Sequence, residues 1–119
     1  MARLDTILLA DDDPDLRDMM AATLADAGYS VLTATGGYDA LGVLTDNWAN
    51  LLITDIRMPG INGFELARRA KVMHPHMHVI YISGYSTESA KNAGPIYGPV
   101  LKKPMRMRYL IDEINRHLA

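Results

Sequence analysis

Asp11, Asp12, Asp55, Ser83 and Lys103 are the side chains with which this sequence could do chemistry, provided the fold brings them together. Three apposed carboxylates repel one another, so a cluster of them should be held by a cation. Oxygen ligands of this hardness suit Mg²⁺, which usually keeps several waters and shares one or two carboxylates with a phosphate. A hydroxyl and an ammonium beside them would complete a phosphoryl pocket, Ser83 donating a hydrogen bond and Lys103 supplying a point charge. Each residue also has an ordinary reading. Asp13 suits a helix cap, Asp55 stands near Pro59-Gly60 where Asp often begins a turn, and Ser83 or Lys103 taken singly is a strand-end polar residue. Only their joint placement favours chemistry.

That placement depends on strands. Leu51-Leu52-Ile53-Thr54-Asp55 is an apolar run bounded by turn signals, the pattern of a strand buried on both faces of a parallel sheet. Thr6 to Ala10 is a similar run stopping at Asp11, Val79 to Ile82 ends at Ser83-Gly84, and Val100 to Lys102 ends at Lys103-Pro104. Tyr29 to Ala34 supplies a fifth. In an open α/β sheet the ligand crevice lies outside the carboxyl ends of the strands, so parallel strands would gather all five residues at one edge.

Helical patterns fill the intervals. Pro14 follows the cap Asp13, with Leu16, Met19, Met20 and Leu24 on one face before Gly28. Gly36-Gly37 turns into a helix whose expected apolar stripe is Tyr38, Leu41, Leu44 and Trp48. From Phe64 to Met73, Ala67 and Ala70 oppose Arg68, Arg69 and Lys71, which are expected on a solvated face. Met107, Leu110, Ile111, Ile114 and Leu118 mark an amphipathic terminal helix. Between Ser83 and Lys103, Gly94, Pro95, Gly98 and Pro99 leave room only for a short or irregular helix around Thr87 to Asn92. Right-handed crossovers then imply an α/β fold, a doubly wound five-stranded parallel sheet with helices on both faces.

The 119 residues suit one domain spanning 1–119. Hydrophobic residues make up 49% and charged residues 22%, with no apolar run long enough to cross a bilayer. Met1 to Asp5 leads straight into a strand, so a cytoplasmic protein without membrane contact is expected. The absence of cysteine excludes disulfides, thiolate catalysis and cysteine metal sites. A net charge of -2 gives no electrostatic footprint for nucleic acid, so no direct nucleic-acid partner is expected. His76 and His78 in His74-Pro75-His76-Met77-His78 alternate as transition-metal ligands can, but a turn entering a strand accounts for them. The eight methionines read as core filler.

Taken in order, Ile7-Leu8-Leu9-Ala10-Asp11-Asp12-Asp13, Thr54-Asp55-Ile56-Arg57-Met58-Pro59-Gly60-Ile61-Asn62-Gly63, Ile82-Ser83-Gly84 and Leu101-Lys102-Lys103-Pro104 resemble the receiver domain of two-component response regulators. Each piece alone is weak, and the four in sequence are highly specific. The resemblance covers essentially the whole chain and implies the flavodoxin-like strand order 2-1-3-4-5. It implies that Asp55 is the phosphoacceptor, that Asp12 ligates Mg²⁺ directly with Asp11 acting through water, and that the backbone carbonyl of Arg57 is a further ligand. It also implies that Ser83 and Lys103 contact the phosphoryl oxygens and that the Lys103-Pro104 bond is cis.

By the same resemblance, a sensor histidine kinase or phosphotransfer protein donates the phosphoryl group, and phosphorylation switches binding of an output partner. Two features depart from the family. The position that often carries a switch aromatic is Val100, leaving Tyr81, Tyr85 and Tyr97 as candidates to replace it. The weak helix after Ser83 belongs to the face many relatives use to dimerise, so a monomer or weak dimer is expected. Ser83-Gly84-Tyr85 is similar to receivers attached to hybrid histidine kinases, so the source is a stand-alone regulator or such a receiver. Two other classes compete. An aspartyl-phosphate hydrolase would carry a second acid two residues after the nucleophile, where this chain has Arg57. A phosphorylation-independent interaction module with a vestigial site would not need all five polar residues.

Overall fold

The computed structural model describes residues 5–84 and 96–118. Five strands, β1 (Thr6–Ala10), β2 (Ser30–Ala34), β3 (Leu51–Asp55), β4 (His78–Ser83) and β5 (Val100–Lys102), form one parallel sheet in the order β2-β1-β3-β4-β5. Among the described residues they are joined by α1 (Pro14–Asp26), α2 (Gly37–Asp46) and α3 (Gly63–Met73), and α4 (Met107–Leu118) follows β5. The strand order implied by the family resemblance is the one present. The short helix around Thr87 to Asn92, and Tyr85, lie outside the described residues.

Strand alternation divides the core. Leu8, Leu52 and Tyr81 face α2 and α3, packing with Ala40, Leu44, Leu66, Ala67 and Ala70. Ile7, Leu9, Leu51, Ile53 and Ile80 face α1 and α4, packing with Met20, Leu24, Leu110 and Ile114. Both faces of β1 and β3 are therefore covered, which is why their sequences read as continuous apolar runs and not as alternation.

Two expected apolar stripes need correction. In α1, Met20 and Leu24 are buried but Met19 is 46% exposed, because its position falls outside the arc that meets the sheet. In α2 the buried positions are Gly37, Ala40 and Leu44, whereas Tyr38 is 62% exposed. Trp48 lies beyond the helix end, 54% exposed, with its ring edge-on to His74 at 5.1 Å. Large apolar side chains outbid small ones in a periodicity count, yet close helix-to-sheet packing selects glycine and alanine. Lys71 is also not merely solvated: its ammonium donates to the carbonyls of Pro75 (2.6 Å) and Met77 (2.9 Å) and ties α3 to the start of β4. Of the methionines, Met20 and Met77 are core and Met19 and Met73 are exposed.

Tyr81 is fully buried and is the register partner of Val100, so it fills the layer beside the position where an aromatic is absent. Its ring lies 5.2 Å from that of Phe64, and its hydroxyl accepts from the Tyr97 N–H at 3.3 Å. The backbone enters β5 through Gly98, where a Cβ would stand 1.6 Å from the Val79 carbonyl oxygen. Only glycine permits that approach.

Candidate functional site

The register sets the site. Ala10 pairs with Thr54, Asp55 with Ile82, and Ser83 with Lys102, so the residues that end β1, β3, β4 and β5 share one edge. Asp11, Asp12 and Asp55 each place a carboxylate oxygen within 4.8 Å of the others. Between them comes Lys103, whose ammonium donates to Asp55 Oδ2 at 3.0 Å and lies 3.6 Å from Asp11 Oδ2. Ser83 is 2% exposed, and its carbonyl accepts from the Lys103 N–H at 2.7 Å. The Lys103-Pro104 bond is cis, as the resemblance implies. Arg57 is exposed on the loop after β3, two residues past Asp55. The histidines do not join a comparable site: among the described residues no cluster suited to a metal includes one.

Backbone contacts hold these carboxylates. Asp13 caps α1, accepting from the N–H groups of Asp15 and Leu16, as expected. Its own N–H donates to Asp11 Oδ1 at 2.9 Å, while the Asp11 N–H donates to the Ala34 carbonyl at 3.2 Å. Arg17 Nη1 donates to the Asp11 carbonyl at 2.9 Å. On β3, the buried Thr54 hydroxyl donates to the Asp55 carbonyl at 2.8 Å. Gly63, the first residue of α3, packs so closely that a Cβ would lie 2.3 Å from the same oxygen. The sequence did not single out Arg17 or Thr54, and Gly63 stood out only as the end of the motif around Asp55. A lone arginine on a helix and a threonine inside a strand carry no signal of their own.

Burial pushes the Asp11 carboxyl above its ordinary pKa of 3.8, and the charges of Asp55 and Asp12 push the same way. The Asp13 N–H and Lys103 offset only part of this. Burial pulls Lys103 down, but its hydrogen bond to Asp55 and the charges of Asp55 and Asp11 outweigh that and leave it raised. One ammonium faces three carboxylates, so the cluster holds excess negative charge in a compact set of hard oxygens. That donor set fits a hard divalent cation such as Mg²⁺.

A pH dependence follows. An acid whose folded pKa is raised destabilises the folded state above that value, and the penalty is relieved as pH falls toward the ordinary value. The metal-free protein should therefore gain from mild acidification as pH drops from neutral toward 3.8, a gain opposed only by other carboxylates. Asp11→Asn should raise the metal-free melting temperature at neutral pH by a few degrees, about 1 kcal/mol, chiefly because a buried charge is removed and secondarily because its repulsion from Asp55 and Asp12 goes with it, and should flatten this dependence. Thermal melts from neutral to mildly acidic pH check both; a lower melting temperature in the variant at neutral pH would contradict the charge balance.

A flavodoxin-like sheet with an acidic pocket, a strand-end hydroxyl and a lysine at its carboxyl edge defines the class of signalling receivers. The comparisons agree. The sequence profile of the response regulator receiver domain family matches residues 7–115, and the chain belongs to that family. It is 38% identical over 114 residues to the response regulator receiver protein CpdR of Brucella abortus, covering 94% of this chain and 95% of that protein. It is 36% identical over 85 residues to the C4-dicarboxylate transport transcriptional regulatory protein DctD of Rhizobium meliloti, covering 71% of this chain but 18% of that larger protein. Among solved structures, a response regulator receiver protein from Sinorhizobium medicae superposes with a TM-score of 0.90 at 32% identity, covering 98% and 95% of the two chains. The protein is thus a phosphoacceptor receiver of two-component signalling. No helix among the described residues is long and apolar enough to cross a membrane.

Proposed function

We propose that Asp55 takes the phosphoryl group from a phosphohistidine of a sensor histidine kinase or phosphotransfer protein. The observation that carries this reading is the convergence of three carboxylates within 4.8 Å around the Lys103 ammonium, at the carboxyl edge of the sheet. An Asp55 carboxylate oxygen attacks phosphorus, the phosphorus–nitrogen bond breaks, and the departing imidazole recovers its electron pair. Lys103, paired with Asp55 at 3.0 Å beforehand, transfers its hydrogen bond to a phosphoryl oxygen. The Ser83 hydroxyl donates to another. Asp11, Asp12 and Asp55, with the Arg57 carbonyl, would hold Mg²⁺, which when bound neutralises charge on the transferring group. Water later attacks the acyl phosphate, releasing inorganic phosphate and restoring the carboxylate.

The chain assists its own phosphorylation and dephosphorylation and otherwise acts as a signalling phosphoacceptor, not as an enzyme on an external metabolite. We read residues 1–119 as one receiver domain acting in the cytoplasm as a monomer or weak dimer, with an output partner that binds according to phosphorylation. Tyr81 takes the place of the aromatic absent at Val100, since it occupies the adjoining buried position.

Intact-protein mass after incubation with acetyl phosphate tests the reading. One phosphoryl adduct should form with Mg²⁺ and should be lost in EDTA and in Asp55→Asn. A chain that takes no adduct and binds no Mg²⁺ would instead be an interaction module with a vestigial site.

A further inference from the structure

We infer that Arg17 is a positioning residue for the acidic loop, setting the direction of Asp12 toward a bound cation. The inference deepens the receiver reading and rests on it. Asp11 is held at three points by the Ala34 carbonyl, the Asp13 N–H and the Lys103 ammonium. Of these only the Asp13 N–H bond spans the peptide unit that leads on to Asp12, and it makes no contact with that unit's carbonyl. That unit is planar, so the Asp11 carbonyl and the Asp12 N–H turn together. Arg17 Nη1 grips this carbonyl at 2.9 Å from the first turns of α1, six residues along the chain. Asp12 itself is exposed, without the surrounding side chains that confine Asp11. Its direction is therefore inherited from the backbone, and the guanidinium sets that backbone. The arginine is itself half-buried and anchored through its helical N–H to the Asp13 carbonyl at 2.9 Å, so both ends of the tether are fixed.

Charge and positioning predict opposite signs, which makes the inference separable from electrostatics. As a mere cation on the acidic loop, held to the Asp11 carbonyl, Arg17 would oppose Mg²⁺, and removing its charge would tighten binding. As the group that aims a ligand, its loss should weaken binding, by about tenfold on the scale seen when groups supporting a metal ligand are removed.

The experiment is a Mg²⁺ titration followed by amide NMR, comparing the natural chain with Arg17→Met, Arg17→Lys and Asp12→Asn. Arg17→Met keeps the aliphatic stem without charge or donor, and Arg17→Lys keeps both. The expected result is a roughly tenfold weaker Mg²⁺ affinity in Arg17→Met, substantial rescue in Arg17→Lys, and displaced Asp12 and Asp13 amide signals in metal-free Arg17→Met. Equal or tighter Mg²⁺ binding by Arg17→Met would overturn the inference. So would a lowered melting temperature with unchanged affinity, which marks a purely structural arginine. Failure of the underlying reading looks different: the natural chain and Asp12→Asn would then be alike in binding no Mg²⁺.

Discussion

Lys103→Met is expected to reduce phosphoryl uptake from acetyl phosphate by about 10²- to 10³-fold, the scale for removing a preorganised charge from a transition state. The ammonium stands 3.0 Å from Asp55 and 3.6 Å from Asp11, so it is placed where negative charge spreads over the transferring oxygens. A methionine fills similar volume without that charge. The same substitution should lower metal-free stability. Lys103 has a raised pKa, and a base raised on folding contributes stability that is fully present below its ordinary value of 10.5 and is lost only as pH rises through the raised value. At neutral pH the natural chain has that contribution and the variant lacks it, leaving three carboxylates to repel one another. Mg²⁺ should therefore raise the melting temperature of the variant more than that of the natural chain, while phosphoryl uptake stays low. Rates and melts on the same samples check the pair of effects. A variant that takes up phosphoryl at the natural rate would remove Lys103 from the mechanism.

Gly63→Ala should produce the larger loss of stability. The added Cβ would lie 2.3 Å from the Asp55 carbonyl oxygen and 3.0 Å from the Ile56 Cα, both backbone atoms that cannot swing aside. The start of α3 must move away from the end of β3, straining the hydrogen bond from the Gly63 N–H to the Ile56 carbonyl at 2.8 Å. Overpacking of this kind costs about 3 kcal/mol, or about 10 °C in melting temperature. Asp55 ends the same strand, so phosphoryl uptake should fall with stability. Gly42→Ala is the matched control. Gly42 sits inside α2 with open space around it, and alanine there should stabilise by about 0.5–1 kcal/mol with uptake unchanged. Opposite shifts in thermal melts are the expected outcome; equal shifts would mean that the close approach of α3 to β3 is not what constrains the site.

Much of this architecture was legible in the chain because burial on two faces writes itself as apolar runs, and each run ended in a polar residue. Asp11, Asp55, Ser83 and Lys103 were marked by those endings before any pairing was known. The strand order was not legible in this way: alternation of strands and helices permits several windings, and order 2-1-3-4-5 came from the resemblance. Other features escaped for particular physical reasons. Tyr38 and Trp48 looked like core because periodicity counts apolar surface, whereas close approach of α2 to the sheet needs Gly37 and Ala40. Gly63 carries no sign of its packing role, because its crowding against Asp55 exists only once α3 is docked. Arg17 was not singled out because its target, a carbonyl six residues back, leaves no trace in composition or spacing. Tyr81 could be named as a candidate for the missing aromatic, but its pairing with Val100 requires the register.

The central claim is that the phosphoryl group resides on Asp55. Borohydride reduction of the phosphorylated protein, followed by peptide mass spectrometry, tests this most directly because it converts an acyl phosphate of aspartate to homoserine at the residue that carried it. The account predicts homoserine at position 55 alone, dependent on Mg²⁺ during phosphorylation. Homoserine at position 11 or 12, or an adduct that resists reduction, would contradict it.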